Sequence, residues 1–258
     1  MGVVNVTPDS FSDGGQFLDP DAAVAHGLAL LRDGADVLDI GGEATNPRAR
    51  PISAEDELRR VIPVVERLAA AGATLSIDTT KATVARAAVA AGARYINDVS
   101  GGLFDPAMAS TASELGVTYI AGHLRGRSLA EVFAAEQPVS WQEVADELVA
   151  RLDALSAEAR ARAWVDPGIG FGKGADGVGN SLLLRHAGDI ARRVGRPIMV
   201  GPSRKRFVRI PLGEAATLTE VDRASTEAAM VAVRAGANMV RTHNVALLST
   251  ALTAYNKL

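Results

Sequence analysis

Eight strand-like runs in this 258-residue chain each end in a residue that can hydrogen-bond or carry charge. In order these ends are Asn5, Asp39, Asp78, Asn97-Asp98, His123, Asp166, Ser203-Arg204-Lys205, and Arg241 with His243. The acids Asp78 and Asp166, with the amide of Asn97, suit the donors and acceptors of a nitrogen-rich heterocycle. Lys205, Arg204, Arg241 and His243 together would neutralise a phosphate-like group. Arg241 and His243 alternate along one run and so share a face. Taken singly, these residues have ordinary structural readings. Asp78-Thr79 can cap a helix, His123 can be a satisfied core histidine, and Asp166 before proline can start a turn. Those readings do not combine, because stability alone would scatter polar residues instead of placing one at every strand end. The inventory points to a polar ring joined to an anionic leaving group.

Three segments concentrate this chemistry. DPGIGFGK, residues 166–173, puts an acid at a strand end and follows it with a glycine-rich loop carrying Phe171 and Lys173. Its glycines let backbone approach a ligand closely, and Phe171 can stack on a flat ring. GPSRKRF, residues 201–207, gathers three cations and a serine behind the apolar run IMVG, where a solvated charge run is the poorer reading. RTH, residues 241–243, adds a forked donor and a titratable imidazole. A fourth segment, MGVVNVTPDSFSDGG at 1–15, runs from the end of a buried strand into a polar loop. Asn5 there can offer a neutral oxygen to a hard cation. Asp9 and Asp13 can bind through water or only shape turns. Nothing resembles a Ser-His-Asp set on a nucleophile elbow.

These residues need elements to position them. Gly34-Ala35, Gly72-Ala73, Gly92-Ala93, Gly116-Val117 and Gly236-Ala237 each precede a strand-like run, as at helices that end in glycine and turn quickly into strands. With the first strand, AWVDPG at 163–168 and PIMVG at 197–201, eight strands are predicted. Helical patterns lie between and after them near 20–33, 54–71, 80–91, 105–115, 141–161, 181–194, 222–235 and 245–256. Asp19-Pro20 and Asp105-Pro106 read as an N-cap followed by proline in the first turn. Eight βα units in this length predict a single (β/α)₈ TIM barrel over 1–258, with its site at the C-terminal ends of the strands. A doubly wound open sheet is the alternative, weakened by the lack of G-x-G-x-x-G after the first strand. Met1 sits directly at that strand without a lead-in, as expected of a piece of a longer polypeptide.

Composition narrows the partners. Net charge is −3 with 4% aromatics and no basic stripe, which argues against nucleic acid. The chain has no cysteine, so disulfides, thiolate metal sites and a cysteine nucleophile are excluded. No apolar run approaches the ~20 residues of a membrane span and no signal peptide is evident, so a cytoplasmic location is expected.

In series, NVTPDSFSDGG, GGE, SIDTTK, NDVSGG, DPGIGFGK, GPSRKRF and R-x-H resemble the dihydropteroate synthase family in motif and order over nearly the whole chain. The resemblance implies a (β/α)₈ transferase that joins 6-hydroxymethyl-7,8-dihydropterin diphosphate to p-aminobenzoate, in a dissociative reaction releasing pyrophosphate. It implies that Asp78, Asn97, Asp166 and Lys205 hydrogen-bond the pterin, that Phe171 packs nearby and that Arg241 stacks along the ring. Asn5, Arg241 and His243 would hold the diphosphate, with Asn5 also on Mg²⁺. Thr45, Gly172, Lys173, Ser203 and Arg206 are further candidate substrate-binding residues. Loops after the first two strands would close over the arylamine, and the family implies a homodimer. Two segments depart from the family pattern. GGESTRPG becomes Gly41-Gly42-Glu43-Ala44-Thr45-Asn46-Pro47-Arg48, so Ala44 replaces serine and Asn46 replaces arginine, with Arg48 or Arg50 as possible compensation. M-H-M-Q-G becomes Gly122-His123-Leu124-Arg125-Gly126, which removes a methionine from the pterin pocket. RTH for R-V-H is a small change. Two rival readings are a pterin-dependent methyltransferase barrel, disfavoured by the cations of GPSRKRF and Arg241-Thr242-His243, and a paralogue that binds pterin diphosphate without condensing it.

Overall fold

A computed structural model describes residues 1–7, 19–47, 50–134, 137–174 and 177–257. Asp9, Asp13 and Arg48 therefore lie outside the described residues. The elements run β1 Gly2–Asn5, α1 Pro20–Arg32, β2 Leu38–Gly41, α2 Ala54–Ala70, β3 Leu75–Asp78, α3 Ala82–Ala90, β4 Tyr95–Asp98 and α4 Met108–Leu115. They continue β5 Thr118–Gly122, α5 Leu129–Ala134, α6 Trp141–Leu152, α7 Ala157–Arg162, β6 Trp164–Asp166, α8 Val178–Arg185 and α9 Ala187–Val194. The last are β7 Met199–Val200, α10 Arg206–Arg209, α11 Leu218–Arg234, β8 Met239–Val240 and α12 Val245–Tyr255.

Strands β1 to β6 pair in parallel in sequence order, and β7 pairs with β8. Single bridges join the two sheets, Val165 to Ile198 and Gly2 to Thr242. Val165 N–H donates to Pro197 O at 3.0 Å, and Val3 N–H to Thr242 O at 3.0 Å. The parallel strands thus close into the expected (β/α)₈ barrel. Alternation divides their side chains. Leu38, Ile40, Leu75, Ile77 and Ile96 join the core formed with the helices. Burying one such side chain contributes roughly 1.5–3 kcal/mol. Met1, Val37, Ile120 and Met199 form a separate buried cluster, with Tyr95, Trp164 and Met239 packed against it. This is the inner layer of the barrel, and it leaves the upper positions to polar groups.

Helix ends follow the local sequence. Asp19 caps α1 by accepting from Asp21 N–H at 2.8 Å, with Pro20 at the first turn. Ser140 with Glu143 and Thr217 with Glu220 form reciprocal capping boxes, caps of this kind contributing about 1 kcal/mol each. At Gly92, φ of 119° lets the chain reverse while Gly92 and Ala93 N–H bond back to Val89 and Ala88 O. The same paired bonds recur at Gly34, Gly72 and Gly236. Two expected helices are broken. The 141–161 pattern divides because Ser156 caps a new start, and the 181–194 pattern divides at His186, whose φ of −108° and ψ of 20° leave the helical region. Asp105 directs its two oxygens to Ala107 and Ala82 N–H, so α4 begins at Met108 and not at Pro106.

Candidate active site

Register brings the predicted residues together. Asn5 pairs with Gly41, Gly41 with Asp78 and Asp78 with Asn97, while Gly122 pairs with Asp166. Gly41 has no side chain, and a β-carbon there would lie 3.4 Å from Asp78. The two acids and the amide consequently share the barrel mouth with groups from β7 and β8.

Arg241 is the hub. Its Nε donates to Asp39 Oδ2 at 2.5 Å and its Nη2 to Asp78 Oδ2 at 2.7 Å. Two carboxylates beside Arg241 hold its guanidinium charged against the cost of burial. Asp39 is fully buried and also accepts from Asn97 Nδ2 at 2.9 Å. That contact orients the amide, because a carboxylate accepts only from the NH₂ end. Asn97 Oδ1 is left buried without a partner, a ready acceptor for a ring N–H. Asp39 was readable as a strand end, but its work of orienting two site residues is visible only in three dimensions.

Burial pushes Asp78 up to about 7 against the pull of Arg241. It also raises Asp166, whose Oδ1 accepts from Gly168 N–H at 2.8 Å. Asp166 is therefore both a turn starter and a residue of the mouth. Lys205 is pushed down to about 8 by burial and then by Arg241. Its Nζ lies 4.1 Å from the centre of the Phe171 ring, a cation–π contact. Gly170 makes room for that side chain, since a β-carbon there would fall 2.9 Å from Lys205 Cδ.

At β8, His243 Nδ1 lies 2.9 Å from Ser203 Oγ, and His243 N–H donates to the same oxygen at 3.2 Å. When the hydroxyl proton is directed to Nδ1, the ring proton sits on Nε2 and points that N–H away from Ser203. Burial, followed by Arg241, Arg204 and Lys205, lowers His243 to about 3. It is a neutral N–H donor at working pH.

The Pterin binding enzyme family profile matches residues 1–243. The chain belongs to that family. It is 43% identical over 260 residues to the dihydropteroate synthase of Mycobacterium leprae, covering 95% of this chain and 88% of that protein. The solved Xanthomonas albilineans dihydropteroate synthase with 4-aminobenzoic acid superposes with a TM-score of 0.89 at 42% identity, covering 99% of this chain and 91% of that one. The same enzyme with 7,8-dihydropteroate gives 0.85 at 40% identity, over the same shares of each chain. Through these relatives this pterin binding enzyme stands among the dihydropteroate synthases, which are transferases of folate synthesis.

Some predicted positions lie elsewhere in this member of the family. Arg204 spends its guanidinium on Asp222, while the residue still borders the cavity beside Lys205 and Arg206. His123 faces α6, where its Nε2 lies 3.0 Å from Glu147 Oε2 and burial lowers it to about 4. The histidine is a core residue, satisfied on one side only, since its Nδ1 is buried without a partner. Lys173 is only 3% exposed and donates to His123 O and Phe171 O, bracing the glycine-rich loop from within. Burial lowers Lys173 to about 7. At Gly122, Val99 backbone occupies the space where a side chain would begin, 2.5 Å from a β-carbon, so the methionine of the family pattern has no room here.

The second loop approaches the mouth from the side. Thr45, Asn46 and Pro47 face Gly172, Lys205 and Arg206 across a cavity of about 170 Å³. This is below the ~300–1,000 Å³ of drug-sized pockets and suits one small ring. A wider hollow of about 450 Å³ opens among Val37, Tyr95, Trp164 and Met239, and none of the site charges lines it. Loop 2 is tied down by Glu43. Its Oε2 accepts from Lys81 Nζ at 2.5 Å and its Oε1 from Ile52 N–H at 3.0 Å. Lys81 also reaches the fully buried Glu57 at 2.6 Å, and Arg60 Nη1 donates to Gly42 O at 2.8 Å. Glu57 carries a sequence signal of its own, since it precedes Val61, Val64 and Leu68 at helical spacing on the apolar face of α2.

Proposed function

We propose that this protein condenses 6-hydroxymethyl-7,8-dihydropterin diphosphate with p-aminobenzoate, giving 7,8-dihydropteroate and pyrophosphate. The observation that carries this reading is the meeting of Asp78, Asn97, Asp166 and Lys205 with Arg241 and His243 in one buried mouth. The carboxylates and Asn97 Oδ1 accept ring and amino N–H groups of the pterin, while protonated Lys205 donates to its acceptors. Arg241, His243 Nε2–H and Asn5 face the diphosphate, with Ser203 and Arg206 at its edge. The C–O bond to the diphosphate breaks first, and its electron pair leaves with pyrophosphate. The buried carboxylates stabilise the cationic pterin methylene that remains. The arylamine nitrogen, admitted beside Thr45, Phe171 and Gly172, then forms the C–N bond and gives up a proton.

Mg²⁺ fits this donor set as an ion held mainly by the diphosphate, because Asn5 contributes one neutral oxygen and Mg²⁺ tolerates few protein ligands. Bound there with Asn5, it would supply positive charge to the departing pyrophosphate. The proposal includes a homodimer. Val178, Leu182, Ile210, Leu212 and Leu218 are exposed apolar residues around α8, α10 and the start of α11, and a second copy would cover them. Among the described residues no helix is long and apolar enough to cross a membrane. The single catalytic domain over 1–258 and the cytoplasmic location expected above complete the reading.

Mixing both substrates with Mg²⁺ and the protein should yield dihydropteroate and pyrophosphate in equal amounts. Isotope in the bridging oxygen of the pterin diphosphate should scramble without arylamine if pyrophosphate leaves first. Absence of product at saturating substrates would sink the proposal.

A further inference from the structure

Arg204 carries a φ of +58°, the left-handed region, and it is the only non-glycine among the described residues to do so. It stands between Ser203 and Lys205, which face the mouth, so its backbone sets the direction of both. A residue with a β-carbon holds this conformation only when its surroundings enforce it. They do so here from α11. Arg204 N–H donates to Ser225 Oγ at 2.9 Å, and Ser225 Oγ in turn donates to Val221 O at 2.6 Å. The guanidinium grips Asp222 with two parallel bonds, Nε to Oδ1 at 2.7 Å and Nη2 to Oδ2 at 2.9 Å. Asp222 is 6% exposed, and the paired bonds fix the guanidinium in plane with the carboxylate.

The clamp extends to the neighbouring loop. Asn244 Nδ2 donates to Asp222 Oδ2 at 3.1 Å, and Asn244 Oδ1 accepts from Leu247 N–H at 3.0 Å, capping α12. Asn244 follows His243 directly. One carboxylate on a barrel helix therefore holds the strand-end turns of β7 and β8, which carry Lys205, Ser203 and His243. We propose that Asp222, acting through Arg204 and Asn244, is a positioning residue that aligns the diphosphate half of the site. It touches no substrate. The inference rests on the reading of Lys205 and His243 as pterin diphosphate contacts.

Glycine separates positioning from general support, because it adopts φ near +58° without enforcement. Arg204→Ala removes the grip but keeps the β-carbon, whereas Arg204→Gly removes both the grip and the need for it. Arg204→Ala and Asp222→Asn should each lower kcat/KM for pterin diphosphate about 10- to 100-fold, the scale of a misplaced contact, with the arylamine KM within about twofold. Both variants strand Asp222 alike, so Arg204→Gly should lose several-fold less than Arg204→Ala, and adding it to Asp222→Asn should recover part of that variant's loss. Equal losses for the alanine and glycine variants, or wild-type kcat/KM in Asp222→Asn, would overturn the inference. If Asp222→Asn does not fold, the alanine and glycine pair decides alone. Wild-type protein assayed alongside separates this failure from failure of the proposed function, in which no variant and no parent forms product.

Discussion

Asp78, Asn97 and Asp166 are held by strand register, whereas residues 42–47 are held by side chains reaching up from α2 and from the turn before α3. The first arrangement fixes each group through a barrel that buries Met1, Val37, Ile120 and Met199 beneath it. The second depends on Lys81 between Glu43 and Glu57, and on Arg60 at Gly42. The inner mouth keeps every charged group of the family pattern. Ala44 and Asn46 differ from that pattern in the loop. A site can thus keep its chemistry where the fold enforces it and vary where a few contacts suffice.

Breaking the inner mouth should have the largest effect. Arg241→Ala leaves Asp39 and Asp78 buried without their cation, so Asp78 should take up a proton and stability should fall by about 3–5 kcal/mol. Product formation should drop roughly a thousand-fold or more, measured as kcat/KM beside a thermal melt.

The pH profile tests the same region more finely. Ionised Asp78 and protonated Lys205 are the binding forms. The rate should therefore rise as pH passes about 7 and fall as pH passes about 8. Lys205→Arg keeps the cation at all working pH, so the falling limb should move up and the rising limb should stay. The lost ammonium geometry should cost about 10-fold at the optimum. A falling limb that does not move would remove Lys205 from the account.

Lys81→Met attacks the tether of the second loop. It should raise the arylamine KM about tenfold while leaving the KM for pterin diphosphate within about twofold. It also strands Glu57, and adding Glu57→Gln should restore part of the lost stability. Asn46→Arg is the smallest change. It should shift arylamine and sulfonamide affinity only a few-fold, on the scale of one exposed contact.

What could be read in advance follows this division. Strand ends were legible because βα periodicity and glycine helix ends mark where each strand stops, and a closed barrel then brings all eight ends together. Asp78, Asn97, Asp166, Lys205, Arg241 and His243 meet for that reason. The pairing of Arg204 with Asp222 is not legible because side-chain direction in a turn depends on φ, and Arg204 is left-handed. Asp222 itself lies in α11 with no motif, and its partners are 18 residues earlier and 22 later. His123 follows the inward-facing Gly122 at the end of β5, so a continued alternation places it against α6.

Turnover on one preparation tests the central claim that an intact inner mouth serves a divergent second loop. Rates should saturate in both pterin diphosphate and p-aminobenzoate, with one pyrophosphate released per dihydropteroate. Calorimetric binding of pterin diphosphate with no dihydropteroate at any arylamine concentration would contradict it.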